Sequence, residues 1–378
     1  MTTESLSSTA TSRFKLLLRP FQQDRLLQVL LLIAVLFTAF QPARIVAYPG
    51  WVNWPTIATL IGLIVLTKGI ESSGYLFYLG RYIVNRLNNE RVLAIFLVSA
   101  AALLSTVLTN DIALFIIVPL TLGLRSIAGL PIGRLVIFEA LAVNAGSLLT
   151  PIGNPQNILL WQKSHLSFFA FTAQMAPLAG IVFVLLLALT ALSFPSLKIH
   201  AEESEKNLQW DARLLGYSSL LYLGFLTAVE FGQPGWGLLV VIVCVFFLAR
   251  GILLEVDWSL IAVFVLMFID IRLLTEIGAL KTWLDGIAAY APHELFLAGL
   301  LGSQLISNVP ATILLTKYVP ASKIIAYAVN AGGFGFVLGS LANLIALRMA
   351  NEKGIWLRFH FFSVPLLIAA GLVAYLLI

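Results

Sequence analysis

Apolar runs long enough to cross a bilayer, separated by short polar joints, fill this sequence from Leu26 to its end, and they predict a chain of membrane-spanning helices. Spans are expected at 26–46, 52–71, 133–163, 173–194, 212–231, 236–252, 256–275, 322–351 and 358–378. Those at 133–163 and 322–351 are interrupted by helix breakers. Two further apolar segments, 91–124 and 293–320, carry a polar tip midway, Leu108-Thr-Asn-Asp111 and Ile306-Ser-Asn-Val-Pro310. Each fits a re-entrant helical hairpin that enters the membrane and returns to the same side. Semi-polar segments at 75–88 and 279–291 precede the hairpins and suit the membrane interface.

The interruption in 133–163 is the richest stretch of the chain. It reads Asn144-Ala-Gly-Ser-Leu-Leu-Thr-Pro-Ile-Gly-Asn-Pro-Gln-Asn157. Gly146, Pro151, Gly153 and Pro155 cannot all lie within one regular helix, because proline removes a backbone donor and glycine favours other dihedrals. Unwound backbone at membrane depth survives only inside protein or beside a wet cavity. Its freed carbonyls, next to carboxamide side chains, are natural ligands for a cation or a small polar solute.

The same features recur later in the same order. Val52-Asn-Trp54 returns as Val256-Asp-Trp258, Thr109-Asn-Asp-Ile-Ala113 as Ser307-Asn-Val-Pro-Ala311, and Ala142-Val-Asn-Ala-Gly146 as Ala328-Val-Asn-Ala-Gly332. At the last spacing, Gly153 also falls on Gly339 and Asn157 on Asn343. These blocks divide the chain into a tail (1–25), a first repeat (26–194), a connection with an unpaired helix (195–235) and a second repeat (236–378). With both hairpins re-entrant, the first repeat crosses four times and the unpaired helix a fifth, so the second repeat starts on the opposite side. The expected fold is therefore all-α and polytopic, with two inverted-topology repeats, two re-entrant hairpins and two broken helices.

Composition narrows the class. The chain has 378 residues, 60% of them hydrophobic and 11% charged, with a mean hydropathy of +0.97, which excludes an ordinary soluble domain. The net charge of +5 comes from Lys and Arg scattered between apolar runs rather than gathered on a face, so it reads as a topology signal and not as a nucleic-acid surface. Most of these cations fall on one side if the N-terminus is cytoplasmic and the C-terminus periplasmic. Arg13, Lys15, Arg19 and Arg25 ahead of the first apolar run outline a signal peptide, but no clear cleavage site follows and an uncleaved first helix is expected. The lone Cys244 and four dispersed His give no metal-binding spacing. No Walker loop, G-x-S-x-G or G-x-G-x-x-G occurs, which argues against hydrolase chemistry and direct ATP coupling, and neither an enzyme activity nor a cofactor is expected.

The predicted site is the place near the bilayer midplane where the two tips and two breaks would meet. Thr109, Asn110 and Asp111 come from one tip and Ser307 and Asn308 from the other. Asn144, Gly146, Asn154, Gln156 and Asn157 come from the first break, and Asn330, Ser340 and Asn343 from the second. Helix N-termini suit an anion, while carboxamide oxygens suit a desolvated Na+, for which Asn110, Asp111, Asn157, Asn308 and Asn343 are the candidate ligands. Taken singly, each Asn could equally be a helix cap or an interhelical bond. Asp111 is the sharpest candidate: a carboxylate at membrane depth that could bind the coupling cation, titrate once per cycle, or cap the returning arm. Glu139, one turn before Asn144, is read evenly as a proton site or as a partner of Arg134. Lys68 with Glu71, and Arg272 with Asp270 and Glu276, are read as local pairs at span ends.

The segments 108–113, 142–157, 306–310 and 339–343 resemble the ion transporter superfamily. That group contains ArsB-type arsenite pumps, NhaD-type sodium/proton antiporters, CitMHS citrate transporters, divalent anion/sodium symporters and YbiR-type bacterial inner-membrane transporters. The resemblance implies a scaffold domain and a mobile transport domain, commonly in a homodimer, that moves its substrate by an elevator-like shift. Symporter tips read Ser-Asn-Thr, whereas Thr109-Asn-Asp111 is more similar to the arsenite and antiporter branches, where a membrane carboxylate implies proton coupling. The function expected is secondary active transport of a small anion or oxyacid (arsenite-like, inorganic or carboxylate) across a bacterial inner membrane, driven by H+ or Na+. A Na+/H+ exchanger is the nearest alternative, and a non-transporting membrane scaffold or sensor is the alternative of another class.

Overall fold

The computed structural model describes residues 24–40, 42–87, 89–126, 129–199, 210–275, 286–287 and 290–378. Most of the predicted tail, most of 279–291, and the connecting charges Glu202, Glu203, Glu205 and Lys206 lie outside the described residues. Every regular element among those described is helical. In chain order the longer ones are α1 (Arg25–Phe40), α2 (Trp54–Ser72), α3 (Tyr75–Leu87), α4 (Glu90–Val107), α5 (Asn110–Gly123), α6 (Ile132–Ser147), α7 (Pro155–Ser164) and α8 (Phe168–Ser193). Then come α9 (Ala212–Glu230), α10 (Pro234–Ala249), α11 (Trp258–Thr275), α12 (Pro292–Ile306), α13 (Asn308–Tyr318), α14 (Lys323–Ala331), α15 (Leu341–Ala350) and α16 (Ile355–Leu377).

Five of these, α2, α4, α8, α9 and α16, are long and apolar enough to cross a membrane. At 1.5 Å per residue α8 reaches about 39 Å, more than the hydrocarbon thickness. The protein is an all-α membrane protein. α1 stops at Phe40, short of the predicted 46, and a 3-10 turn runs from Pro42 to Ala47; proline disfavours helix in the residue before it. The spans 133–163 and 322–351 are each two helices, α6/α7 and α14/α15, as their breakers demand.

The chain forms two compact units, and each half of the sequence contributes to both. One unit comprises Met1–Ser73 and Asp211–Lys281, the other Gly74–Trp210 and Thr282–Ile378. In the first, α2 packs against α9, α10 and α11, and α1 packs on α11. Gly62 there leaves the space that the Phe225 ring fills. Lys68 pairs with Glu71 at 3.3 Å, as expected, and also with Glu255 at 3.4 Å. Asp270 is buried with neither carboxylate oxygen hydrogen-bonded, so its expected pairing with Arg272 is not made; Glu276 lies outside the described residues.

The second unit holds every predicted site residue, and its packing repeats itself. α4 lies on α6 as α12 lies on α14, and the two broken pairs cross over, with α15 against α5 and α7 against α13. Close approach is set by glycine. A Cβ on Gly146 would run into the Ala102 carbonyl and the Ser105 hydroxyl, and one on Gly332 would lie 2.5 Å from the Ser303 Cβ. Ser105 and Ser303 precede Asn110 and Asn308 by the same interval, so the repetition reaches individual contacts.

Candidate functional site

Each break begins where a helix runs out of compatible residues. α6 ends at Ser147, and α7 restarts with Pro155 in its first turn, where the missing N–H is harmless, and Asn154 as its cap: the Asn154 carboxamide oxygen accepts the Asn157 N–H at 2.8 Å. α14 ends at Ala331 ahead of Gly332, Gly333 and Gly335, the last at φ +99, which L side chains resist, and α15 restarts after Ser340. The carbonyls released in the breaks are met by side chains. Ser147 O accepts from the Asn154 and Asn157 carboxamides, both at 3.1 Å. Gly332 O accepts from Gln304 at 2.6 Å and Gly333 O from Asn343 at 3.0 Å. At these positions the protein's own carboxamides already donate to the freed carbonyls.

The two breaks then bond to each other. Asn144 Nδ2 donates to Asn343 Oδ1 at 2.8 Å and to Ala140 O at 3.1 Å. Asn330 Nδ2 donates to Asn157 Oδ1 at 2.7 Å and to Ala326 O at 2.8 Å. Ser340 Oγ donates to Asn144 Oδ1 at 2.9 Å, and Asn154 Nδ2 to Asn330 Oδ1 at 3.0 Å. Asn144 and Asn330 are equivalents in the repeat, as are Asn157 and Asn343, so one hydrogen-bond pattern is written twice with its partners exchanged. All six residues are buried. The interhelical-bond reading of these asparagines is therefore realised.

The tips sit on this cluster. The Asn110 N–H donates to Gly153 O at 2.8 Å, which ties the first tip to the first break. Asn308 Nδ2 is packed beside Gly333, where an added Cβ would be 3.2 Å from it and 3.6 Å from Asn144 Oδ1. Asn110 and Asn308 each turn the side-chain oxygen onto the next residue's N–H, at 3.0 Å for Asp111 and 2.9 Å for Val309. As a result α5, α7, α13 and α15 all begin at the cluster. Four helix N-termini bring partial positive charge and backbone donors there.

Among the described residues two buried polar atoms in the cluster have no partner, Asn308 Nδ2 and Gln156 Oε1. Asp111 is half-buried in the first turn of α5 and makes no side-chain hydrogen bond among the described residues. Its cap role is not taken: Thr109 holds the cap position, without a side-chain bond of its own. Ser307 is fully buried at φ +72 and ψ +154, a region that normally requires glycine. All thirteen predicted residues thus lie in one unit; the broken-helix amides are largely saturated, while Asp111, Asn308 and Gln156 keep groups free.

Sequence reasoning missed Ser105, Ser147, Ser303 and Gln304. Ser147 accepts from Asn154 through its hydroxyl at 3.1 Å, and Gln304 binds the second break through Gly332 O and through the Phe336 N–H, the latter at 2.8 Å. The common interval of Ser105 and Ser303 before their tips was the available signal. The Glu139–Arg134 pair is not formed: Arg134 donates to Ser193 O at 2.7 Å, and Glu139 accepts the Thr121 hydroxyl.

Comparison with known proteins gives this arrangement its family. The citrate-transporter model CitMHS matches residues 25–324. The chain belongs to the CitMHS family. Among its relatives, the inner membrane protein YbiR of Escherichia coli is 52% identical over 361 residues, covering 96% of this chain and 97% of the relative. The uncharacterized transporter MJ0456 of Methanocaldococcus jannaschii is 33% identical over 307 residues, 79% of this chain and 82% of the relative. This CitMHS member is consistent with the ion transporter superfamily, and the family and the names of its relatives support a multi-pass membrane transporter and point to transport rather than enzyme chemistry.

Proposed function

We propose that the chain is a secondary active transporter that moves a small anion or oxyacid, inorganic, carboxylate or arsenite-like, across the bacterial inner membrane, coupled to H+ or Na+. The observation that carries this is the meeting of four helix N-termini at a buried amide cluster in which Asn308 Nδ2 lacks an acceptor. A buried donor left unpaired costs about 1–3 kcal/mol, which an acceptor oxygen on a solute would recover. Gln156 Oε1 gives the complementary acceptor, suited to a hydroxyl of a protonated oxyacid. Asp111, with its carboxylate free, is the group proposed to respond to pH or to hold Na+ beside Asn110.

On this reading segments 26–194 and 236–378 are inverted repeats. The saturated asparagines 144, 157, 330 and 343 position the breaks, and the tips carry the solute. The N-terminus is cytoplasmic, the C-terminus periplasmic, and the working form a homodimer. Proteoliposomes holding the full chain test the proposal. Uptake of labelled citrate or arsenite driven by an imposed pH or Na+ gradient is the expected result. Exchange of Na+ for H+ with neither solute moving would assign the antiporter function instead, and the absence of all flux would remove transport.

A further inference from the structure

Glu139 lies on α6 outside the amide cluster and has no part in the solute site. Its side chain is fully buried, as is that of Thr121 on α5, whose hydroxyl bonds Oε1; Oε2 has no partner. An ionised carboxylate offers about four lone-pair sites, and one hydroxyl cannot compensate its removal from water. The charged groups on the helices packed against α6 give no counter-charge at hydrogen-bond distance. Glu90 and Arg91 open α4, and Arg91 is bonded to Phe194 O; Asp111 opens α5. α8 carries none, α15 carries Arg348, and α16 carries Arg358, His360 and Tyr375. On α6 itself Arg134 is bonded to Ser193 O. Glu352 lies against Gly133 at the start of α6 and pairs with Arg358.

The fold does not require a carboxyl here. At the equivalent place in the second repeat, set by the same spacing that equates Asn144 with Asn330, stands the fully buried Ile325. Na+ would need several oxygen ligands, of which Glu139 and Thr121 supply too few, whereas a proton needs one. Asn144 follows on the same helix about 7.5 Å further along its axis, so a charge gained or lost at Glu139 would be felt at the breaks.

We infer that Glu139 is a proton-binding site, a carboxyl oriented by Thr121 that takes a proton from water on one side of the membrane and returns it to water on the other during transport. Only its O–H bond forms and breaks. The coupling role rests on the transporter function proposed above; the protonation does not, and the two are tested separately. Infrared spectroscopy of the lipid-reconstituted full chain reads the carbonyl stretch of protonated carboxyls. A component is expected that is lost in Glu139→Gln and kept in Asp111→Asn, that shifts in Thr121→Val and returns in Thr121→Ser, and that fades as the buffer is made alkaline. A spectrum unchanged by Glu139→Gln, or a Glu139 component constant at every pH where the protein stays folded, overturns the inference. Should Glu139→Gln fail to fold, an unmoved band in Thr121→Val overturns it equally. Failure of the transport function would show differently, as no citrate, arsenite or Na+ flux in wild-type liposomes whatever the infrared result.

Discussion

The two tips are built alike up to the residue that would touch a solute, and there they part. In both, an Asn side chain caps the next N–H, a Ser lies at the same interval before it, and a break glycine is pressed against the arm. The first tip then carries Asp111, on a helix entered through ordinary extended backbone at Thr109 (φ −67, ψ +151). The second carries Val309 and is entered through Ser307 at φ +72, with Asn308 Nδ2 unpartnered. The shared features are framework, since they recur wherever the chain makes this turn. The differences lie in which groups are left over, a carboxylate at the first tip and a buried side-chain donor at the second.

The largest effect should come from breaking the framework. Gly146→Ala drives a Cβ into the Ala102 backbone, which cannot move aside, whereas Gly332→Ala meets mainly the Ser303 side chain. Both should lower the thermal unfolding midpoint of the purified protein, Gly146→Ala by more, within the roughly 1–3 kcal/mol typical of overpacking. Equal losses would mean that the two close approaches are equally yielding. Next in size is the chemical difference between the tips. Asp111→Val should abolish the dependence of flux on the driving ion, and Val309→Asp should weaken anion binding about tenfold through repulsion in a low-dielectric site, about 1.4 kcal/mol. If Val309→Asp leaves affinity intact, the second tip does not face the anion.

Smaller effects test the crossed amides. A double-mutant cycle on Asn144→Ala and Asn343→Ala should give a coupling of about 0.6 kcal/mol, and at most about 1.7, as for other hydrogen bonds between membrane helices. A coupling of zero would deny the 2.8 Å bond any role. A change opposite in sign is expected for Ser307→Gly. Relieving the unfavourable backbone should stabilise by about 1 kcal/mol, while Thr109→Gly should destabilise slightly. Stabilisation by both would erase the conformational distinction between the tips.

The sequence announced the tips and breaks because glycine, proline and asparagine in an apolar run can mean little else, and the repeated Ala-Val-Asn-Ala-Gly showed that the pattern occurs twice. It did not announce that each break's asparagines pair with those of the other. That pairing depends on α7 crossing to α13 and α15 to α5, which is a matter of tertiary packing. Hence the sequence did not show that the side-chain oxygens of Asn157 and Asn343 accept from Asn330 and Asn144. Asn308 looked no different from Asn110 in the sequence, yet it is Asn308 that keeps a buried donor unpaired. Arg134 was a reasonable partner for Glu139 by sequence distance, but the two are five positions apart on a helix and so do not share a face as i, i+4 neighbours do; Thr121 on α5 was beyond any local reading.

The central claim is that the unpaired donor of Asn308 is where the solute binds. The most direct test is the thermal shift that citrate or arsenite produces in purified wild-type protein and in Asn308→Ala. A ligand-dependent rise in the wild-type midpoint is expected and none in Asn308→Ala at the same concentrations, with the ligand-free midpoints close together. An equal rise in both proteins would contradict it.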